Sequence, residues 1–407
     1  MITSSVFRTA ARRLFGHKLY VCHVAHENDR ASTQTLAEYF RLANVKYATI
    51  EFNPSGQRPE LQACLDDRGT VAVIGYNSQL DHSWIGDRKF IALAAAQGIP
   101  VIQWIFDHPS LRWPEFTHNL DAANVRYVFV SHFCEQYFRR YIAPQARTAV
   151  ACCAINPLSR ADDPSRDAFL RRDIPCLIPL NLRRLGGTAE ELDARIRAFE
   201  PRLADAVREA IAAARHDLDN PLVLHLEAAL ARRGIELPNK TMHVCAGIVE
   251  DMTHVWRRRR IFEVAARFPV LIQTDLPPPE FVESAVATFR TTPEWTDPAS
   301  TLARMRSCRS VASVSLTNDM LHDRAANAIN AGCVAIVEAN VAYRRLFRRG
   351  ETALLFRYDD DSLERCLDLV CHRPEQAYEI ARRSTPLRDD PAFRFSGCDD
   401  LLALAEW

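Results

Sequence analysis

The sequence predicts an α/β protein made of two Rossmann-like domains facing across a cleft. Three observations carry that expectation. Short apolar runs alternate with helical segments along the first part of the chain, as strands buried on both faces of a parallel sheet do. The same alternation restarts at Ile174, after a polar, proline-bearing stretch, Asn156–Arg172. Finally, 407 residues exceed one ordinary core, so two domains of roughly 150–200 residues are expected.

In the first part, Leu19–Ala25, Ala48–Phe52, Val71–Gly75, Pro100–Phe106, Tyr127–Ser131 and Thr148–Cys153 read as strands. Ala31–Ala43, Glu60–Asp66, Arg88–Gln97 and Glu135–Tyr141 read as the helices between them. Beyond the linker, Ile174–Leu182 opens the second domain as a strand, and a helical block covers Ala189–Gly234, broken at Pro201 and Pro221. Thr241–Ile248 is expected as a strand, Val255–Phe268 as a helix, Val270–Gln273 as a strand and Ser300–Arg306 as a helix. Then come a strand at Val311–Leu316, a short helix that carries His322, Arg324 and Asn327 and ends at Ala331-Gly332, and a strand at Cys333–Val337. Tyr343–Phe347, Ala353–Arg357 and Ser362–Val370 add helix, strand and helix. The resulting division is 1–160, 161–390 with a helical insertion at 189–234, and a tail 391–407 whose helix (Leu401–Glu406) is suited to return to the first domain.

Composition excludes several classes. The chain is 48% hydrophobic and 25% charged, with 51 basic and 51 acidic residues, which lacks the basic excess of a general nucleic-acid binder. Arginine far outnumbers lysine and alanine is abundant, a bias that suggests a GC-rich bacterial genome. The 12 cysteines show no C-x-x-C pair or zinc spacing, as expected for buried free thiols in a reducing cytoplasm. No apolar run is long enough to span a bilayer. Residues 1–16 carry Arg8, Arg12 and Arg13 without an acid, a short basic segment suited to peripheral contact with a membrane surface. No G-x-G-x-x-G follows the first strand, so the NAD fingerprint is missing. No metal site is expected: Asp359, Asp360 and Asp361 read as a helix N-terminus, where carboxylates are favoured.

The stretch SVSLTNDMLHDRAANAINAGCVAIVE (Ser313–Glu338) is the most informative. A strand, a polar turn (Thr317, Asn318, Asp319), a short helix bearing His322, Arg324 and Asn327, then Gly332 and a second strand aim a helix N-terminus and a cationic pair at one spot. Arg324 can donate two parallel hydrogen bonds to a phosphate, and Asn327 can bind a ribose hydroxyl. Glu338 and Asn340 end the second strand near the same place. A second anion-binding candidate is the turn Arg183-Arg184-Leu185-Gly186-Gly187-Thr188, where backbone amides and two guanidiniums follow a strand. Arg257–Arg260 span all sides of a helix and are expected to be largely solvated.

In the first domain, Asp107 and His108 follow an apolar strand and precede Pro109, at the sheet's C-terminal edge. Either can accept the proton of an attacking hydroxyl. His26, in the loop after the first strand with His23, Glu27, Asn28 and Asp29, is the other candidate base, although Asp29 serves equally as a helix cap. His132 is a weaker candidate, and Tyr76 and Asn77 follow the third strand at the same edge.

The segment HDRAANAINAGCVAIVE resembles the donor-binding motif of GT-B glycosyltransferases, and is most similar to the CgeB-like branch. ALLFRYDDDSLER (Ala353–Arg365) resembles a later strand–helix of the same donor domain, and the D-x-P-like Asp107–Pro109 resembles a motif of that branch. The resemblance implies a metal-independent transferase that moves a sugar from a nucleotide-diphosphate sugar, UDP being the expected nucleotide, to an acceptor hydroxyl in the cytoplasm, without a resident cofactor. It implies donor contacts from Arg183, Arg184, Gly186, Gly187, Thr317, Asn318, Asp319, His322, Arg324, Asn327 and Glu338. Many such enzymes carry a glutamate where this chain has Asn327, and an acid eight residues earlier, where it has Asp319. The asparagine preserves hydroxyl binding but removes the basis for inferring a retaining mechanism from a glutamate pair. A non-catalytic nucleotide-sugar binding protein and a nucleotide-sugar 2-epimerase are the alternatives on this scaffold.

Overall fold

The computed structural model of the chain describes residues 18–24, 27–52, 57–116, 122–153, 160, 162–180, 188–274, 286–291, 298–314 and 318–405. The chain divides into two compact units, Met1–Pro157 with Arg394–Trp407, and Leu158–Phe393.

The first unit holds strands β1 (Lys18–Val24), β2 (Lys46–Phe52), β3 (Thr70–Tyr76), β4 (Val101–Ile105), β5 (Val125–Phe129) and β6 (Thr148–Val150). They form a six-stranded parallel sheet in the order β2-β1-β3-β4-β5-β6. Every residue of β4 and β5 is buried, as strands covered on both faces must be. Helices α1 (Glu27–Leu42), α2 (Pro109–Phe116) and α3 (His132–Tyr141) are among the covering elements. Ser131 starts α3 by accepting the Cys134 amide, a side-chain cap of the usual kind.

The second unit repeats the layout. Strands β7 (Ile174–Leu180), β8 (Leu271–Thr274), β9 (Thr288–Thr291), β10 (Cys308–Ser313), β11 (Val334–Glu338) and β12 (Leu354–Phe356) form a second parallel sheet of six, ordered β9-β8-β7-β10-β11-β12. Between β7 and β8 lie α4 (Ala189–Arg197), α5 (Pro201–Ala214), α6 (Val223–Arg232) and the long α7 (Asn239–Ala265). Thr188 and Glu191 form a capping box that starts α4. After β10 come α8 (Asp323–Asn330), α9 (Ser362–His372) and α10 (Pro374–Ser384). Gly332 closes α8 with φ of +71°, and a Cβ there would lie 2.9 Å from the Pro164 ring. Arg172 donates to the Gly332 and Cys308 carbonyls, fixing the start of β10 and β11.

Arg394–Trp407 belongs to the first unit. Phe395–Ser396 pairs antiparallel with Cys152–Cys153, and α11 (Cys398–Ala405) packs against β6. Gly397, at φ +73°, passes so close to β6 that a Cβ would sit 2.0 Å from the Val150 carbonyl oxygen. The Tyr39 hydroxyl donates to Asp399 at 2.6 Å, pinning α11 to α1.

One local expectation changes, and three further elements, α2, α10 and β9, have no counterpart in the sequence reading. Thr241–Ile248 is not a strand but the first half of α7. Residues 245–251 are all buried, and a run buried all round reads alike as strand or helix. Pro109 opens α2, and Pro374 opens α10, since proline suits a first helical turn. The edge strand β9, with Phe289 as its only large apolar residue, has too weak a pattern to read.

Candidate functional site

The order of the second sheet reverses at one place. From β7 the chain winds one way through β8 and β9, then restarts at β10 on the other side of β7 and continues through β11 and β12. The carboxyl ends of β7 and β10 therefore flank the crevice where open α/β sheets bind ligands. Pro179 and Leu180 end β7, and Ser313 ends β10. The Ser313 hydroxyl is buried and has no hydrogen-bond partner among the described residues.

Arg324 reaches this point. Its Nη1 donates to the Pro179 carbonyl at 3.0 Å, and among the described residues its guanidinium makes no other hydrogen bond. Burial lowers its pKa from the ordinary arginine value, so the cation is poorly hydrated. A partly desolvated guanidinium with spare donors, at the start of an eight-residue helix, suits an oxyanion. His322 is the N-cap of that helix: its Nδ1 accepts the Arg324 amide at 3.2 Å, and its own amide donates to the Tyr343 hydroxyl at 3.0 Å. The same ring nitrogen lies against the Asp323 carboxylate. Asn327 is buried one turn further along α8. Thr317, Arg183, Arg184, Gly186 and Gly187 lie outside the described residues.

Asn318 and Glu338 sit at this edge but turn inward. The Asn318 Oδ1 accepts from Arg257 at 2.9 Å, and its Nδ2 donates to the carbonyls of Asp217 (2.9 Å) and Asn220 (2.7 Å). That amide is consumed by the protein, so the expected ligand contact from this side chain gives way to a scaffolding one. Glu338 is 1% exposed, accepts from the Tyr358 hydroxyl at 2.7 Å and lies 3.8 Å from Arg257. Asp319 is the half-buried member of this turn.

Arg257 and Arg258 are buried, whereas Arg259 and Arg260 are exposed. The expectation of a solvated quartet holds for only two of them. The same helix face buries Glu250 and His254, 3.6 Å apart. No sequence motif marks these groups; the available signal was charge inside an otherwise apolar helical run. A cavity of about 650 Å³ lies beside Tyr358, lined also by His216, Trp256, Arg260, Asp359 and Asp361. Two of its carboxylates are paired within the protein, Asp359 with Arg357 and Asp361 with Arg365.

In the first unit, Asp107 and His108 follow β4 at the sheet's C-terminal edge. The Asp107 Oδ2 accepts from Arg112 Nε (3.0 Å) and Nη2 (2.7 Å), while Arg112 Nη1 donates to Glu115 at 2.9 Å. His108 is 6% exposed, edge-on to Tyr137, and its Nδ1 accepts the Ser110 amide at 3.3 Å. It thus caps α2 as His322 caps α8. Asn77 and Ser78 adopt left-handed φ values of 42° and 60° at the end of β3, and the Asn77 Oδ1 accepts the Phe106 amide. His23 is buried on β1 and His132 opens α3. His26 lies outside the described residues, as do the side chains of Glu27, Asn28 and Asp29. Among the described residues no cluster of three or more His, Cys, Asp or Glu could hold a metal ion, and no helix is long and apolar enough to cross a membrane.

No protein-family model matches the chain, and no curated protein matches it. Solved structures are similar at low identity. The Anabaena HepE structure in complex with UDP and glucose is 11% identical with a TM-score of 0.44, covering 94% of this chain and 98% of that one. Sucrose-phosphate synthase from Thermosynechococcus elongatus is 10% identical with a TM-score of 0.44, covering 96% of each chain. A putative UDP-N-acetylglucosamine 2-epimerase from Listeria monocytogenes is 10% identical with a TM-score of 0.38, covering 91% of this chain and 92% of that one.

Proposed function

We propose that this chain is a metal-independent glycosyltransferase that moves a sugar from a nucleotide-diphosphate sugar to an acceptor hydroxyl. The observation that carries the reading is Arg324, a partly desolvated cation with unspent donors at the point where the second sheet reverses. There the guanidinium, at the positive end of α8, binds the diphosphate. The first unit recognises the acceptor, and Asp107 is its base. Its side chain is 18% exposed, and its Oδ1 has no hydrogen bond among the described residues. His108 is the poorer candidate because its ring is buried and spent on a helix cap. In the reaction the acceptor oxygen attacks the anomeric carbon and Asp107 takes its proton. The bond from that carbon to the diphosphate oxygen breaks, and the leaving charge is held by Arg324.

A thermal-shift screen of nucleoside diphosphates and their sugars tests this, with UDP first. A ligand at a hundred times its Kd adds about 2.7 kcal/mol, a shift of several degrees. Binding followed by turnover of a labelled donor supports a transferase. Binding without turnover of any acceptor extract would make the chain a nucleotide-sugar binding protein, a reading that Asn327 favours over an acid there. An epimerised donor in the absence of acceptor would make it an epimerase.

A further inference from the structure

The most heavily buried arginine among the described residues of the second unit has no part in that reading. Arg257 is 1% exposed, yet it sits where α5, α7 and the edge of the sheet meet. Its Nε donates to the Arg215 carbonyl (3.2 Å) and its Nη2 to those of Ala214 (3.2 Å) and Asp217. These are carbonyls at and beyond the C-terminus of α5, which a helix leaves unsatisfied and where a cation is favoured. Its Nη1 donates to Asn318 Oδ1 (2.9 Å), and its guanidinium lies over the Tyr358 ring, 5.5 Å from the centroid. Asn318 returns two hydrogen bonds to the same insertion, at Asp217 and Asn220. Its own carbonyl accepts the Val341 amide at 3.0 Å, tying the turn to the chain leaving β11. Burial and then the Glu338 carboxylate push the Tyr358 phenol up, so it stays a donor to Glu338.

We propose that Arg257 is a positioning residue: it fastens the helical insertion to the Asn318–Asp319 turn and so sets the approach to α8 and Arg324. The insertion is then a working part of the nucleotide site rather than an appendage. This rests on the reading of that edge as a nucleotide site. Lysine cannot replace the residue, because one ammonium cannot span carbonyls and an amide oxygen in four directions. Aspartate at 318 is the sharper probe: it keeps the acceptor for Arg257 and replaces two donated hydrogen bonds by oxygen facing oxygen.

The test is UDP affinity by calorimetry on the full chain, with circular dichroism and Tm recorded for each variant. Arg257→Lys and Asn318→Asp are expected to bind UDP at least about tenfold more weakly than the wild type at a temperature where both are folded. The control is Arg388→Lys, another buried arginine, which donates to the Ile329 carbonyl at the opposite end of α8. It should lower Tm yet leave UDP affinity within about twofold. Should Arg257→Lys fail to fold, Asn318→Asp decides. Wild-type affinity in the folded variants, or an equal loss in the Arg388 control, would overturn the positioning role. Failure of the site itself shows separately, as a wild-type chain that binds no nucleoside diphosphate.

Discussion

The C-terminal edges of the two sheets use the same local device to different ends. At each, a histidine precedes a helix and its Nδ1 accepts the amide two residues on: Ser110 for His108, Arg324 for His322. At the first edge all three guanidinium nitrogens of Arg112 donate to carboxylates, those of Asp107 and Glu115. At the second edge Arg324 gives one bond to a backbone carbonyl. Among the described residues, the first edge pairs its guanidinium with two carboxylates, whereas the second leaves one with donors to spare. Identical caps therefore do not distinguish the two edges; the guanidinium donors do.

The largest expected effect breaks that comparison at the second edge. Arg324→Ala should weaken UDP binding by about 100-fold, the scale of a lost pair of charge-assisted hydrogen bonds in a desolvated setting. Calorimetry at constant salt measures it, and an unchanged affinity would remove Arg324 from the site. The next effect is at the first edge. Asp107→Asn should abolish transfer while UDP affinity stays within about twofold of wild type, because the base acts only on the acceptor. Full turnover by that variant would move the base to another residue. A smaller effect tests the shared cap: His108→Ala should cost about 1 kcal/mol of stability, read by urea denaturation, with no change in UDP affinity. If it lowers affinity instead, the two edges are coupled in a way the caps alone do not explain.

The smallest effect lies at the far end of β1. The Lys18 ammonium, with the Gly69 amide and the Tyr20 hydroxyl, holds Asp67 at about 2. That is below the value of about 3.9 for an unfolded aspartate, so its contribution is present above about pH 4 and is lost as pH falls toward 2. Asp67→Asn should flatten the stability profile between those values. A profile identical to wild type would show that this exposed pair contributes nothing measurable.

Much of this was legible in the sequence, and the exceptions share a cause. The strand–turn–helix–glycine–strand run around Arg324 could be read because each of its parts has a local signature: an apolar strand, a polar turn, a capped helix and a left-handed Gly332. The first half of α7 could not, because Cys245–Ile248 and its neighbours are buried on every side and carry no periodicity. Four consecutive arginines read as solvated, yet Arg257 and Arg258 are buried. Arg257 is covered by the insertion, whose carbonyls at Ala214, Arg215 and Asp217 it holds, and no pattern within four consecutive arginines reveals a cover supplied from elsewhere. Asn318 shows the reverse limit. Its position in the turn was right, but only the tertiary fold reveals that its amide points at Arg257 and the insertion.

The most direct test is a crystal structure of the chain with UDP. The diphosphate is expected within hydrogen-bond distance of the Arg324 guanidinium, at the carboxyl ends of β7 and β10. UDP bound instead in the cavity between Trp256, His216 and Asp359, with Arg324 still holding only the Pro179 carbonyl, would contradict the assignment.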